Sequence, residues 1–239
     1  MKSFLFYLNF FTYIIKLNMK KNEFEKLKKQ GNKSEIISYL NNVVLGWASH
    51  VLSYVKADIK VVGRENIPEE TCLYVANHQG FFDIPIMIHS LDKTVGFIAK
   101  KELLKFRVLT YWMEQMHCIF MDRSNMRESI KSINEGVENL KNGHNLVIFP
   151  EGTRSKGPSI GEFKKGSLKL ALKSGVPIVP VAIDGSYKLR EGNEKSAIKS
   201  AEVKVTICKP IYMDELSKEE KTDLAEKVKE IIASNITIE

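Results

Sequence analysis

Short apolar runs alternate with helical patterns from residue 59 to the end of the chain. Seven runs of three to six residues, separated by polar or turn-forming segments, predict buried strands at 59–62, 72–76, 95–99, 118–120, 146–149, 178–183 and 203–207. Strands interleaved with helices indicate an α/β domain whose sheet is largely parallel or mixed and is flanked by helices. We place this domain at residues 57–239.

Capping signals mark three of the helices between and after these strands. The first helix covers residues 127–141, and Gly143 is its stop signal. The second covers residues 167–174 and is stopped by Gly175. The last begins with a capping box at Ser217 and Glu220 and is expected to bury Leu224, Val228 and Ile231.

Two apolar stretches precede the α/β domain. Residues 4–17 are rich in aromatic side chains, but these 14 residues fall short of the roughly 20 that a membrane-spanning helix needs. Residues 36–55 carry apolar side chains at helical spacing. We therefore expect a membrane-associating helical hairpin at residues 1–56 that dips into or lies on the bilayer. A signal peptide is disfavoured because no small-residue cleavage site follows, and packing of both helices on the core remains an alternative.

The amino-acid composition limits the classes of partner that we expect. The chain of 239 residues is 44% hydrophobic and 27% charged, which is typical of a folded body. Three cysteines in apolar runs favour buried thiols in a reducing compartment, and no cysteine–histidine spacing fits zinc, so we expect no metal. The net charge of +7 favours an anionic lipid surface or an acidic carrier protein. Nucleic acid is not expected, because no known binding signature is present.

The candidate catalytic pair, His78 and Asp83, lies between the second strand and the apolar run that follows it. Side chains five residues apart on a helix point about 140° apart, so only a turn brings this carboxylate to the imidazole. We expect residues 77–82 to form that turn and Asp83 to cap the next helix. A histidine oriented by a carboxylate can act as a general base. The alternative is a polar strand-end histidine beside a simple capping residue.

Three further blocks fall at predicted strand ends, where ligands gather in such folds. The block at residues 118–123 is a strand that ends at Arg123. In the block at residues 147–155 the strand stops at Pro150 and the chain turns through Gly152, so that backbone N–H groups and Arg154 can face one ligand. Residues 176–181 contain two prolines, which favour a strand start, edge or bulge over a central position. A Gly-x-Ser-x-Gly match at 157–161 has no strand before it and is expected to be a loop.

These blocks, in this order, resemble the 1-acylglycerol-3-phosphate acyltransferases, the lysophosphatidate-acylating branch of the glycerolipid acyltransferases. The matching motifs are His-x4-Asp at 78–83, Ile-Phe-x-Asp-Arg at 119–123, Phe-Pro-Glu-Gly-Thr-Arg at 149–154 and Val-Pro-Ile-x-Pro-Val at 176–181. Two positions depart from the family pattern. Gly80 stands where many members carry Ser, and His117 stands where Gly often opens the second block.

The resemblance implies direct transfer of an acyl group from a thioester to the sn-2 hydroxyl of 1-acylglycerol 3-phosphate (lysophosphatidate), giving phosphatidate without an acyl-enzyme. It assigns the general base to His78, paired with Asp83, and substrate binding to Lys100, Arg123, Glu151, Gly152, Thr153 and Arg154. It implies no cofactor, acyl-CoA or acyl-carrier protein as co-substrate, and work at the cytoplasmic face of the cell membrane.

Three other functions remain open at this stage. The acceptor could be glycerol 3-phosphate or another lysolipid, the chain could be a non-catalytic membrane-lipid binding protein, or His78 could activate water in a lipid hydrolase.

Overall fold

The structure, a computed structural model, describes residues 2–122 and 124–237, with residues 2 and 3 described by their backbone alone. Its helices are α1 Lys2–Gln30, α2 Lys33–Val55, α3 Asp83–Leu91, α4 Arg107–Gln115, α5 Met126–Lys141, α6 Lys169–Ser174, α7 Lys218–Thr222 and α8 Leu224–Ala233. Its strands are β1 Asp58–Val62, β2 Leu73–Ala76, β3 Gly96–Lys100, β4 Ile119–Met121, β5 Leu146–Ile148, β6 Ile178–Asp184 and β7 Glu202–Ile207. The seven strands predicted from the apolar runs are thus confirmed.

The strands form one mixed sheet in the order β1-β7-β6-β2-β5-β3-β4. Strands β6, β2, β5, β3 and β4 are mutually parallel, whereas β7 pairs antiparallel with β6 and carries β1 parallel to itself. The predicted α/β class with a mixed sheet is confirmed. Because five neighbouring strands point the same way, the segments that follow them emerge together along one edge, which we call the carboxyl edge.

The sheet is covered on both faces, and β2 shows how its sequence achieves this. All four β2 residues are buried, as expected for a central strand of a parallel region. Tyr74 joins the core beneath α2 and α3, while Leu73 and Val75 join the core beneath α5, α6 and α8. The alternation of side chains along a strand therefore supplies both cores from one short run.

The two N-terminal helices divide their apolar residues between the protein and its surface. Helix α2 buries Val44, Ala48 and Leu52 in the same core as Ile86 of α3, so packing on the core is confirmed for this helix. Helix α1 buries Phe6 there but leaves a row of large apolar side chains exposed: Phe4, Leu8, Phe11, Ile15 and Met19. The predicted domain division after residue 56 stays a prediction.

Within residues 2–122 and 124–237, none of the helices combines the length and the apolar character needed to traverse a bilayer.

The three cysteines are buried free thiols, as predicted. Burial raises the pKa of each thiol, that of Cys118 to about 12. A thiol that stays protonated inside a core is a poor nucleophile, so these groups are structural.

The expectation that Pro180 occupies a strand start, edge or bulge is wrong. Pro180 lies inside β6, a central strand, opposite Val75 of β2. Its carbonyl accepts a hydrogen bond from the Cys208 N–H at 2.9 Å, just beyond the end of β7. Since the N and C=O of one strand residue face the same side, the nitrogen of Pro180, which carries no hydrogen, also faces Cys208, just beyond the end of β7.

Gly96, the first residue of β3, gives a test of the packing between the strands. A Cβ atom there would lie 2.7 Å from the His117 carbonyl oxygen and 2.8 Å from that of Met116, both backbone atoms that cannot move aside cheaply. We expect Gly96→Ala to lower the free energy of unfolding by about 1–3 kcal/mol, measured by urea denaturation. The matched control is Gly166→Ala, because no atom lies within 4 Å of its Cβ position. An equal loss of stability in both variants would contradict this account.

Candidate active site

The segment between β2 and α3 is a turn, as predicted, and it brings His78 and Asp83 together. The Nδ1 atom of His78 lies 2.6 Å from Oδ2 of Asp83. The same carboxylate oxygen accepts the backbone N–H groups of Gln79 at 2.7 Å and Gly80 at 2.8 Å. Asp83 is fully buried, so these donors replace the water that an ionised carboxylate would otherwise need.

Asp83 is not the cap of α3, which corrects the expectation from sequence. The N-cap is Phe82, and Asp83 is the first helical residue. Its side chain points back toward the turn and binds amides that precede the helix rather than those in its first turn. The carboxylate is therefore committed to shaping the turn and orienting the imidazole.

The second oxygen of Asp83 has a partner that sequence patterns did not indicate. Ser186, which is buried, donates its hydroxyl to Oδ1 of Asp83 from the 3-10 helix Ser186–Leu189, which follows β6. Gln79 ties the same segment to the turn, because its Oε1 accepts the N–H groups of Gly185 at 3.0 Å and Ser186 at 3.1 Å. The carboxylate thus receives four hydrogen bonds from two separate parts of the carboxyl edge.

Asn77 anchors the start of the turn. Its side-chain amide donates to the Ile183 carbonyl at 2.9 Å and its oxygen accepts the Ile183 N–H at 2.8 Å. This two-way pairing extends β2 alongside β6 by one side chain. The backbone of the next residue, His78, is thereby held in place.

Glu151 buttresses the turn from the other side. Its two carboxylate oxygens accept the N–H of His78 at 2.6 Å and the N–H of Gly161 at 2.8 Å. Burial raises the pKa of the Glu151 carboxyl, although the two amide hydrogen bonds oppose this shift. The Ser155 N–H also donates to the His78 carbonyl at 2.8 Å, so the loop after β5 and the histidine turn form one unit.

The free side of the imidazole faces a large cavity. His78 stacks on Phe149, with ring centres 4.2 Å apart and ring planes 19° apart, and its side chain is 18% exposed. With Nδ1 bound to Asp83, Nε2 is the nitrogen left for a substrate. The cavity has a volume of about 820 Å³ and is walled mainly by apolar side chains, among them Phe10, Val44, Trp47, Ile88, Phe97 and Trp112.

Three of the six predicted binding residues line this cavity. Lys100, Thr153 and Arg154 line it beside His78. Gly152 adopts a left-handed φ of 70° in the turn that follows Phe149, a conformation that suits glycine. Arg123 lies outside the described residues.

Arg154 does not stand alone. Its Nη1 donates to Oε1 of Glu191 at 2.8 Å, and the same oxygen accepts the N–H of Phe81 at 3.0 Å. Glu191 and Arg190, which also line the cavity, follow the Ser186–Leu189 segment. Neither residue belongs to a block identified in the sequence.

Both departures from the family pattern lie at positions with a local constraint. A Cβ atom at Gly80 would lie 3.0 Å from Oε2 of Glu191 and 3.3 Å from the Ser186 carbonyl oxygen, so Glu191 and Ser186 crowd the turn at this position. His117 has a left-handed φ of 58°, which explains why glycine suits that position. The Gly-x-Ser-x-Gly match at 157–161 is an irregular loop without a preceding strand or following helix, as expected.

Comparisons with known proteins identify the family of this chain. The protein-family model described as Acyltransferase matches residues 58–184. A probable 1-acyl-sn-glycerol-3-phosphate acyltransferase of Mycoplasma genitalium is 35% identical over 199 residues, which cover 78% of this chain and 74% of that protein. The chain belongs to the acyltransferase family. The resemblance drawn from the four sequence blocks is therefore confirmed.

Other relatives and one solved structure extend the comparison. A chloroplastic 1-acyl-sn-glycerol-3-phosphate acyltransferase of Brassica napus is 35% identical over 188 residues, covering 76% of this chain and 54% of the plant protein. The chain therefore spans about half the length of that relative. The crystal structure of the 1-acyl-sn-glycerophosphate (LPA) acyltransferase PlsC from Thermotoga maritima aligns with a TM-score of 0.83 at 28% identity, covering 98% of this chain and 94% of that one.

Four residues of this acyltransferase site escaped the sequence patterns: Gln79, Ser186, Arg190 and Glu191. The last three lie after β6, beyond the residues that the family model matches. The rule that ligand sites gather at the carboxyl ends of strands applies to β6 as much as to β2 and β5. The polar segment after β6 was therefore the signal that could have located them.

Ser186 provides a test of the buried carboxylate. We expect Ser186→Ala to lower the free energy of unfolding of this acyltransferase by about 1.5–3 kcal/mol, because Asp83 would lose a hydrogen bond to a charged, water-excluded oxygen. Urea denaturation measures the change. Ser200→Ala serves as the control, since Ser200 is exposed, and it should change stability by less than about 0.5 kcal/mol. A loss in Ser186→Ala no larger than in the control would disprove the assignment.

Proposed function

We propose that this protein transfers an acyl group from an acyl thioester to the sn-2 hydroxyl of 1-acylglycerol 3-phosphate, forming phosphatidate. The observation that carries the proposal is the oriented imidazole of His78 at the mouth of an apolar cavity that Lys100 and Arg154 also line. The names of the relatives support the same acceptor.

The geometry supports the following chemical roles. Asp83 holds His78 Nδ1, so Nε2 takes the proton of the acceptor hydroxyl while the hydroxyl oxygen attacks the thioester carbonyl carbon. The carbon–sulfur bond then breaks, and the thiolate leaves with the proton returned by the imidazolium. Asp83 stabilises that imidazolium in between. No covalent acyl-enzyme is needed.

The acyl chain and the acceptor phosphate bind in different parts of the site. The apolar cavity accommodates an acyl chain, which gains by leaving water. The acceptor phosphate binds Arg154 and Lys100, because a guanidinium forms paired hydrogen bonds with phosphate oxygens. Acyl-CoA and acyl-carrier protein are both anionic donors, and the net charge of +7 favours either.

We further propose that the protein works on the cytoplasmic face of the cell membrane, docked through α1. Phe4, Leu8, Phe11, Ile15 and Met19 follow helical spacing along one face, and each is between 51% and 73% exposed. Lys16, Lys20 and Lys21 lie on the same helix and suit anionic headgroups.

The base assignment is tested by His78→Ala. We expect kcat for acylation of 1-acylglycerol 3-phosphate to fall about 10²–10⁴-fold, because proton removal from the hydroxyl is lost, while lipid binding persists. The control is His89→Ala, an imidazole at the other end of α3 that does not line the cavity. Transfer at a near wild-type rate in His78→Ala would refute the proposal. A parallel panel with glycerol 3-phosphate and other lysolipids fixes the acceptor.

The docking face is tested by Phe11→Asp, compared with Leu172→Asp. Leu172 is an exposed apolar residue of α6, which packs on the sheet face opposite α2 and α3. We expect Phe11→Asp to weaken binding to anionic vesicles by about tenfold or more, since burial of such a side chain contributes roughly 1.5–3 kcal/mol. Vesicle co-sedimentation measures the affinity. Equal binding by the two variants would place the docking face elsewhere.

A further inference from the structure

The chain after β6 delivers two charged residues to the mouth of the cavity. It passes through Gly185, with a left-handed φ of 93°, into the 3-10 helix Ser186–Leu189 and then presents Arg190 and Glu191. Both residues line the cavity together with His78 and Arg154. Neither falls within the residues 58–184 that the family model matches.

Glu191 is the centre of this group. Its side chain is only 6% exposed, and its Oε1 accepts hydrogen bonds from Arg154 Nη1 at 2.8 Å and from the Phe81 N–H at 3.0 Å. Its Oε2 is buried and accepts no hydrogen bond from the described residues. A carboxylate removed from water in this way is stabilised by the cations beside it, so it fixes their positions in return.

Arg190 is the second cation. Its Nη1 lies 3.7 Å from Glu191 Oε1, and its side chain is 25% exposed. Its guanidinium lies 5.1 Å from the centre of the Phe81 ring, and that of Arg154 lies 5.9 Å from the same centre. One aromatic ring and one carboxylate therefore position two guanidinium groups at the same opening.

The charges of this group leave room for an anion. Two arginines and one carboxylate carry a net charge of +1, and both arginines remain partly exposed to the cavity. A phosphate monoester carries about −1.5 to −2 charge near neutral pH and has three terminal oxygens. A phosphate diester carries one charge and two such oxygens, so it cannot engage two guanidinium groups as fully.

We propose that Arg190 binds the acceptor phosphate together with Arg154, and that Glu191 is a positioning residue that holds Arg154 for this contact. The two-arginine arrangement makes the site selective for a lysolipid with a phosphate monoester over one with a phosphate diester. This inference rests on the proposed acyl transfer and adds two residues to it.

Arg190→Ala tests the selectivity, with 1-acylglycerol 3-phosphate and 1-acylglycerophosphoglycerol as acceptors. We expect KM for the monoester to rise about tenfold or more with kcat little changed, and KM for the diester to change by less than about threefold. Arg190→Lys should retain part of the effect, because it keeps the charge but loses the paired geometry. The control is Arg64→Ala, an exposed arginine that does not line the cavity. An unchanged KM, or an equal rise for both acceptors, would overturn the role of Arg190.

The role of Glu191 is tested by Glu191→Ala and by the milder Glu191→Gln, each in the wild-type and the Arg154→Ala backgrounds. We expect KM for the monoester to rise in the wild-type background, less with Gln than with Ala, and to change little where Arg154 is already absent. The same rise in both backgrounds would show that Glu191 does not act through Arg154. A fall in KM would show that its carboxylate competes with the phosphate. Either result would refute the positioning role.

The controls separate this inference from the proposed function. Urea denaturation of each variant verifies that the fold is retained. If the wild-type protein acylates neither acceptor, the proposed function fails. If the wild type is active on the monoester and Arg190→Ala behaves like Arg64→Ala, only the present inference fails.

Discussion

The candidate site depends on the hydrogen bonds that the buried carboxylate of Asp83 accepts. This carboxylate receives hydrogen bonds from the imidazole of His78, from two backbone amides of the turn and from the hydroxyl of Ser186. Because Asp83 is fully buried, each of these bonds is stronger than it would be on the surface, and the loss of one leaves a charged oxygen uncompensated. The same four contacts define the turn, fix the ring orientation and join the segment after β6 to the segment after β2.

The sheet makes this convergence possible. Five parallel strands end along the carboxyl edge, so residues far apart in the chain arrive within hydrogen-bonding distance. The segment after β2 supplies the imidazole, the segment after β5 supplies Glu151 and Arg154, and the segment after β6 supplies Ser186 and Glu191. Strands β7 and β1 run the other way and complete the sheet without adding a segment to this group.

Much of the fold could be predicted from sequence, because it depends on local patterns of apolar runs and residue spacing. Strand runs are set by neighbouring apolar residues, and the turn between His78 and Asp83 follows from their spacing. The prediction that Asp83 caps α3 was wrong because its carboxylate can bind amides of the helix or amides of the turn, and sequence spacing does not decide between them. Pro180 was misjudged because its tolerance depends on where β7, far along the chain, leaves the sheet.

The residues that escaped prediction are those whose partners are distant in sequence. Ser186 is 103 positions from Asp83, and Glu191 is 37 from Arg154. The polar segment after β6 marks the region, but nothing in its sequence distinguishes Ser186 or Glu191 from a solvated loop residue. The contacts of these side chains depend on which strands are neighbours, and the order of the strands is a property of the whole sheet.

Helix α1 has two apolar surfaces, and this accounts for its unusual sequence. Phe10 and Leu17 line the cavity, while Phe4, Leu8, Phe11 and Ile15 face outward. A helix with one apolar side shows an amphipathic signature, but here the opposite sides are both apolar, and the signature cancels. The result is a run at residues 4–17 that is apolar on both sides of the helix, with one side lining the cavity and the other side exposed.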